Sequence, residues 1–547
     1  RQRVRKACVS CQQKKRKCNG LQPCDTCEGY GFDCYYQPAA QAQSMPAEHP
    51  RTSHKRAAPE HHTSSSRAED NKRVRQDFLE PNKSRYVGVG SAISFSHKLS
   101  RDMGSANTAR LHSYAWNAGT RPEALPTFSC QIAQIIPWED LHALTAVYFD
   151  VVHPVFGVLD QAGFNLRCVE HWMGDTQSLG FDALVGSVCA LGSLFSGNRK
   201  SVGESDLVSA TKVLLDNISM IHGATEDFAV AWILRSIYLR CTTRPHSSWM
   251  ATCTTMHVIE AVGLHREIDT LSISTTTREA SSSYNKNLDL RRRVFWVAKA
   301  LDLIFSCEYG RSATELDGAN CNEPSMVDGD YTLEFIELAK LMSIYLMTSR
   351  EVLEESLMTI FEKRSGCQLL NLMRANAGFC IYRRLCSFDP GASSEHLKMI
   401  TSMGEEALLP AQALVLTNQV WWDVLTVPFH YICVLLHINS IESLSQLAGG
   451  MSALRKVNRH LGTHMAREAE VVAELLIKVC SQRKQEEIRY LNGQLSIRTE
   501  IDTQADTSNF QPDAMRSRTP IPEWLYDVAP DWDFLPSLSF QNDSPAA

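Results

Sequence analysis

The 547-residue chain has no uncharged apolar run clean enough to cross a membrane. The longest, Val424 to Ile441, is interrupted by Pro428, His430, His437 and Asn439, so it reads as a buried helix pair rather than a span. The N-terminus is basic with no apolar stretch after it, which excludes a secretory signal. Because the chain starts at Arg1 rather than Met, a few native residues are expected to precede it. Strict alternation of apolar and polar residues is scarce, which argues against a large sheet. The motifs of the common catalytic folds are missing as well. There is no P-loop, no H-E-x-x-H and no G-x-S-x-G. Gly88-x-Gly90 lacks both the third glycine and the strand-to-helix context of a dinucleotide fingerprint. No internal repeat is found. A non-enzymatic, intracellular protein is expected.

What remains is an ordinary soluble composition, 44% hydrophobic and 21% charged, on a chain too long for one compact domain. The net charge of -6 conceals an asymmetry. Residues 1 to 76 hold 15 Lys/Arg against 7 Asp/Glu, a net of +8, which leaves -14 for the rest. A basic head on an acidic body suits a polyanion-binding arm on a body that repels polyanions.

The 18 cysteines divide in the same way. Six lie between Cys8 and Cys34, and twelve are scattered singly from Cys130 to Cys480. Single cysteines on apolar helical faces, such as Cys189, Cys241 and Cys433, read as small buried hydrophobes. The six are spaced C-x2-C-x6-C-x5-C-x2-C-x6-C, two equal halves joined by five residues. A C-x2-C pair brings two sulfurs to one tetrahedral zinc. Six donors exceed one site and fall short of two independent ones, so the count closes when two thiolates bridge two Zn²⁺. Residues 1 to 37 supply 8 basic and 3 acidic side chains, so the metal-loaded segment stays cationic and attractive to phosphate. So short a segment has almost no apolar core, and the metals must supply its folding energy. Three disulfides, the competing reading, do not suit a reducing compartment.

Helical spacing dominates farther along. Val230, Ile233, Leu234, Ile237, Tyr238 and Cys241 form one apolar stripe, as do Val294, Ala298, Leu301 and Phe305. Trp249, Cys253, Met256 and Ile259 make a third, with Gly263 as a stop. The expected organisation is a cysteine module over 1–37 and a mostly disordered linker over 38–110, rich in Pro, Ser, His and Ala. A helical domain follows over 111–490, then an acidic disordered tail over 491–547. The fold class is mostly α: a small two-zinc module plus a large all-α regulatory domain. No heptads occur between 38 and 110, where Pro46, Pro50 and Pro59 intervene, so any dimerisation element has to lie elsewhere.

The segment Cys8 to Cys34 resembles the DNA-binding domain of the fungal binuclear zinc-cluster transcription factors at all six cysteines, and Pro23 matches that family's loop proline. The resemblance implies that Cys8 and Cys24 bridge the metals. Cys11 and Cys18 would complete one zinc, and Cys27 and Cys34 the other. It also implies double-stranded DNA as partner, a nuclear location and reading of a CGG-like triplet in the major groove. Lys14 and Lys15 occupy the base-contacting positions, where lysine donates to guanine N7 and O6, and Arg16 and Lys17 those facing phosphate. Gln12 departs from the basic residue usual there, which removes one phosphate contact. Tyr148-Phe149 with His153-Pro154, the stretch Thr242 to Glu267, and Arg291 to Arg311 are similar to the family's regulatory middle domain, in that order. Physically, Asp302 on an apolar face needs a partner, and Arg311 is the expected one. His257 and His265 read as structural histidines.

Two linker clusters, His54-Lys55-Arg56 and Lys72-Arg73-Val74-Arg75, suit nuclear import. The middle domain suits a small-molecule effector or a protein contact. In the tail, Glu523, Asp527, Asp531 and Asp533 interleave with Trp524, Leu525, Tyr526, Trp532, Phe534 and Leu535, a pattern suited to activating transcription through coactivators. The alternative is a helical metabolite-binding protein or enzyme that carries a zinc module for DNA targeting.

Overall fold

The structure, a computed structural model, describes Cys11, Cys18, residues 77–80, 85–88, 91 and 99, and residues 132–501 apart from 175–177, 198–202, 222–223, 268–270, 274–287, 344–348 and 389–391. It divides into two units, Arg1–Lys72 and Arg73–Ala547.

The second unit is helical, as the spacing predicts. Its elements are α1 (Ile132–Ile135), α2 (Trp138–Val151), α3 (Gln161–Trp172), α4 (Leu179–Phe195), α5 (Glu204–Ile221), α6 (Glu226–Thr242), α7 (Pro245–Val262), α8 (Leu288–Tyr309) and α9 (Thr332–Ser343). They continue as α10 (Arg350–Glu362), α11 (Gln368–Leu385), α12 (Ser394–Leu416), α13 (Asp423–Ile438), α14 (Ile441–Ser445), α15 (Leu447–Leu461) and α16 (His464–Ile501). The expected stripes are the buried faces: Val230, Ile233, Leu234 and Ile237 in α6, and Val294, Ala298, Leu301 and Phe305 in α8. Short polar caps start several helices. Asp160, Ser178, Thr225 and Ser393 each accept a backbone N–H of the first turn of α3, α4, α6 and α12, filling orphan donors. Gly263 ends α7 with φ of 78°, the left-handed cap that a side chain would strain.

Helices pack mainly on their sequence neighbours. One half runs through α2, α4, α6, α7, α8 and α9, the other through α11, α12, α13, α15 and α16. Gly192 in α4 lets the backbone of α2 approach: a Cβ there would stand 2.2 Å from the Leu144 carbonyl oxygen. The two halves share one core. Trp421, just before α13, carries its ring to 4.3 Å from Phe195 and 5.8 Å from Phe156, and Trp422 lies edge-on to Phe305 at 5.5 Å.

Three features depart from the expectations. Two strands, β1 (Asp77–Glu80) and β2 (Arg85–Val87), fall inside the stretch expected as linker. β1 pairs antiparallel with β2 and parallel with β3 (Leu271–Ile273), giving the order β2-β1-β3. Tyr86 then stands edge-on over His265 at 4.7 Å, so the region before the helices is tied to the loop after α7. Second, α16 continues to Ile501, past the expected start of the tail at 491. Third, the apolar run is not a helix pair: residues 424–438 lie in the single helix α13 with Pro428 inside it, Asn439 caps that helix, and α14 begins only at Ile441. Among the described residues no helix is long and apolar enough to cross a membrane.

Candidate metal centre and nucleic-acid interface

Cys11 and Cys18 are the members of the cysteine module that the structure describes. Cys11 is helical and buried, with 2% of its surface exposed, and Cys18 is half-buried outside regular structure. A buried thiol in a segment without an apolar core of its own suits a thiolate ligand, and soft sulfur donors suit zinc. Cys8, Cys24, Cys27 and Cys34 lie outside the described residues, as do Lys14, Lys15, Arg16 and Lys17. Among the described residues, no group of three or more His, Cys, Asp or Glu is placed to hold a metal.

A basic run within the helical domain is not available to a polyanion. Arg291, Arg292 and Arg293 open α8, and successive helical positions point about 100° apart. Each therefore meets a different acid. Arg291 pairs with Glu226 of α6 and Arg292 with Glu267 after α7. Arg293 pairs with Asp289 at 3.0 Å and with Asp330 before α9, and also donates to the Ser325 carbonyl at 2.9 Å. Burial alone would raise the carboxyl pKa of Glu267 and of Asp289. The arginines and backbone N–H groups outweigh it and hold both below the usual range. These contacts staple α6, α7, α8 and the loop before α9 together.

One expected contact is corrected. Asp302 does not pair with Arg311. Its carboxylate accepts the Thr314 backbone N–H at 2.6 Å, and burial raises its pKa. Arg311 instead lies over the Trp249 and Tyr309 rings at 4.8 and 4.5 Å. A backbone donor can reach a buried carboxylate without bringing a second charge inside, which avoids the desolvation an ion pair costs. The two histidines read as structural differ in setting, His257 lying at the surface. Its side chain is 70% exposed and lies 3.9 Å from Glu260, whereas His265 is fully buried.

A polar cluster inside the core went unforeseen. Arg240 of α6 donates to Glu308 of α8 at 2.9 and 3.1 Å, and Asn376 of α11 donates to Glu308 at 2.7 Å and to Asp423 of α13 at 3.1 Å. Burial raises the Asp423 pKa well above the carboxylate range and pushes His430, on the same helix, down to about 4. The cluster ties four helices together where the two halves meet. The one sequence signal was Asp423 at the head of an apolar run. The single-cysteine reading holds for Cys189, which is fully buried, while Cys241 and Cys433 are only partly covered. Burial raises all three thiol pKa values, to about 12 at Cys241 and about 11 at Cys433.

Two clefts line the helical domain. One of about 160 Å³ is bordered by Arg167, Asp227, Glu226 and Arg291. The other, about 130 Å³, is bordered by Glu337, Lys363, Arg364 and Arg374. Their charges are already matched: Arg167 meets Asp227 at 2.8 and 2.5 Å, and Lys363 meets Glu337 at 2.7 Å.

Comparison with known proteins bears on both parts of the chain. The fungal Zn(2)-Cys(6) binuclear cluster domain matches residues 6–43, and the fungal specific transcription factor domain matches residues 145–344. Protein RDR1 of Saccharomyces cerevisiae is 35% identical over 513 residues, covering 92% of this chain and 94% of that protein. Transcription factor kojR of Aspergillus flavus is 31% identical over 504 residues, covering 90% and 86%. Protein RDR1 of Gibberella zeae is 30% identical over 493 residues, covering 89% and 88%.

A cysteine-cluster domain that binds two zinc ions, followed by a helical regulatory domain, defines a zinc-dependent DNA-binding transcription regulator. The chain belongs to the family of fungal Zn(2)-Cys(6) binuclear cluster transcription factors.

Proposed function

We propose that Cys8, Cys11, Cys18, Cys24, Cys27 and Cys34 hold the two zinc ions, with Cys8 and Cys24 bridging, and that the loaded module reads CGG-like triplets in the major groove. The observation that carries this is the spacing of the six cysteines around Lys14-Lys15-Arg16-Lys17. The metals fix the fold of a segment with too little apolar surface to fold alone. Lys14 and Lys15 donate to guanine acceptors and set sequence preference, while Arg16 and Lys17 meet phosphates and set affinity.

The protein acts in the nucleus as an activator, supported by the acidic and aromatic tail from 501 to 547 with its 8 acidic and 2 basic side chains. The helical domain serves regulation and protein contact rather than catalysis. Two of its clefts, of about 130 and 160 Å³, fall below the ~300–1,000 Å³ of small-molecule sites, and charged side chains that already have partners line them.

The test is metal analysis of the fragment spanning residues 1–43, with DNA binding before and after chelation. Two zincs per chain, with folding and CGG binding both lost in excess chelator, is the expected result. One zinc per chain, or a fragment that stays folded without metal, overturns the assignment.

A further inference from the structure

The face of α16 that forms core continues past the core. Ala473 is fully buried, and Ile477 packs with it on Ile432 of α13 and on Met451 and Leu454 of α15. Steps of seven, four, three, four and three residues from Ile477 reach Lys484, Ile488, Leu491, Leu495 and Arg498, which keeps them in one row of the helix. Ile488 and Leu491 are 57% and 66% exposed. Lys484 lies 3.7 Å from Glu487, and both are largely exposed, so water screens that contact. The row is therefore apolar in its middle and cationic at each end. Turns as exposed as 485–494 rest on helix propensity rather than on packing. Asn492, Gly493, Ser496 and Thr499 are weak helix formers, so a partner on the row would supply the burial these turns lack.

Charge selects the occupant. A second α16 laid parallel would bring Lys484 onto Lys484 and Arg498 onto Arg498. Laid antiparallel, it would set cations against Leu495 or Ile488, at a cost in stability. An acidic segment with large apolar side chains meets both the middle of the row and its ends. Residues 502–547 lie outside the described residues, and their sequence has that character. Glu523 and Asp527 bracket Trp524-Leu525-Tyr526, and Asp531 and Asp533 bracket Trp532. The segment is also within reach. From Ile501 to Trp524 the chain can span at most roughly 70 Å, against about 20 Å back along the helix to Ile488.

We propose that residues 523–535 dock on the Lys484–Arg498 row of their own chain, with apolar side chains on Ile488, Leu491 and Leu495 and acids on the two end cations. The inference rests on the reading of the tail as the activating segment, because docking covers the side chains that would reach a coactivator. The segment then serves either α16 or the coactivator, and the coactivator's concentration sets the balance. A tethered segment meets its site at an effective concentration on the order of 1 mM. A contact of only ~100 µM affinity would thus favour the docked state about tenfold.

The test treats the full-length zinc-loaded protein with a carbodiimide, which couples an amine to a carboxylate in contact with it, followed by trypsin and mass spectrometry. The expected product is peptide 484–489 joined through Lys484 to peptide 519–547. In a mixture of heavy-isotope and light chains, both peptides of each product should carry the same label. The double variant I488E with L491E should lower the yield about tenfold with the helical circular dichroism unchanged. The same variant should raise reporter expression by the full-length protein at equal DNA occupancy. Absence of the product overturns the proposal, as does a yield that the double variant leaves at the parent level. Products of mixed label also overturn it and assign the row to a second copy. If residues 501–547 fail to activate when fused to an unrelated DNA-binding domain, the activator reading falls, and the coupling product alone still decides the docking.

Discussion

Arg240 directs two N–H groups, at 2.9 and 3.1 Å, at one carboxylate oxygen of Glu308, and both side chains are nearly buried, at 11% and 9% exposure. The pair joins α6 to α8 at the meeting point of the two halves. Removing one partner of a buried pair leaves the other charge uncompensated, whereas replacing both with apolar groups need cost little. Arg240→Met should therefore destabilise the domain by about 3–5 kcal/mol, read as a lowered Tm. The double replacement R240M with E308L should recover much of that loss. A single variant as stable as the parent would show that the pair is not a structural tie.

His430 makes the stability of the helical domain depend on pH. Burial, reinforced by the nearby Arg383 and Arg240 cations, lowers its pKa from 6.5 to about 4. The unfolded chain thus takes up the proton at higher pH than the folded one. The contribution is complete above pH 6.5 and is lost as pH falls toward 4, with a limiting slope of about 1.4 kcal/mol per pH unit. Denaturant unfolding of the parent and of His430→Gln at several pH values checks this. The variant should lose less stability than the parent between pH 6.5 and 4, and parallel curves would refute the assignment.

Specificity and affinity should separate within the basic run. Lys15→Ala should cost about 1–3 kcal/mol on the preferred site and relax discrimination at one guanine. Arg16→Ala should weaken binding evenly across sequences and lower the salt slope by about one. Titrations on matched and mismatched duplexes at several salt concentrations measure both. Equal losses on all DNAs from the two variants would remove Lys15 from the base readers.

The tail should act when transplanted. Residues 501–547 fused to an unrelated DNA-binding domain should raise reporter expression, and Trp532→Ala with Phe534→Ala should abolish the effect. Acidic groups keep large apolar side chains apart in water and available to a groove on a partner. An inert fusion, or one indifferent to the aromatic replacements, argues for a tail that serves another purpose.

The helical stripes were legible because burial imposes a 3.6-residue period wherever one face of a helix meets a core. Ile233, Leu234 and Ile237 show it in α6, and Leu301 and Phe305 in α8. The zinc module was legible for a different reason: the number of donors and their spacing constrain the metals without any knowledge of the fold. What stayed hidden depends on partners far apart in sequence. Asp302 could be seen to need a donor, but the Thr314 backbone N–H leaves no trace in side-chain type. Phe78 and Leu79 could not be read as strand residues, because Ser272 and Ile273, which complete the pairing, lie nearly two hundred positions away.

The length of α16 carries a consequence for reach. Its early turns lie on α13 and α15, yet every residue from 485 to 494 is exposed. At about 1.5 Å per residue, that stretch advances roughly 15 Å of rigid rod before the last turns to Ile501. The helix therefore carries the chain at Ile501 beyond the turns that pack on the core. Shortening the helix by whole turns would keep its helical phase while drawing its end inward, so the distance of Ile501 from the core is set by turns that contribute little to that core.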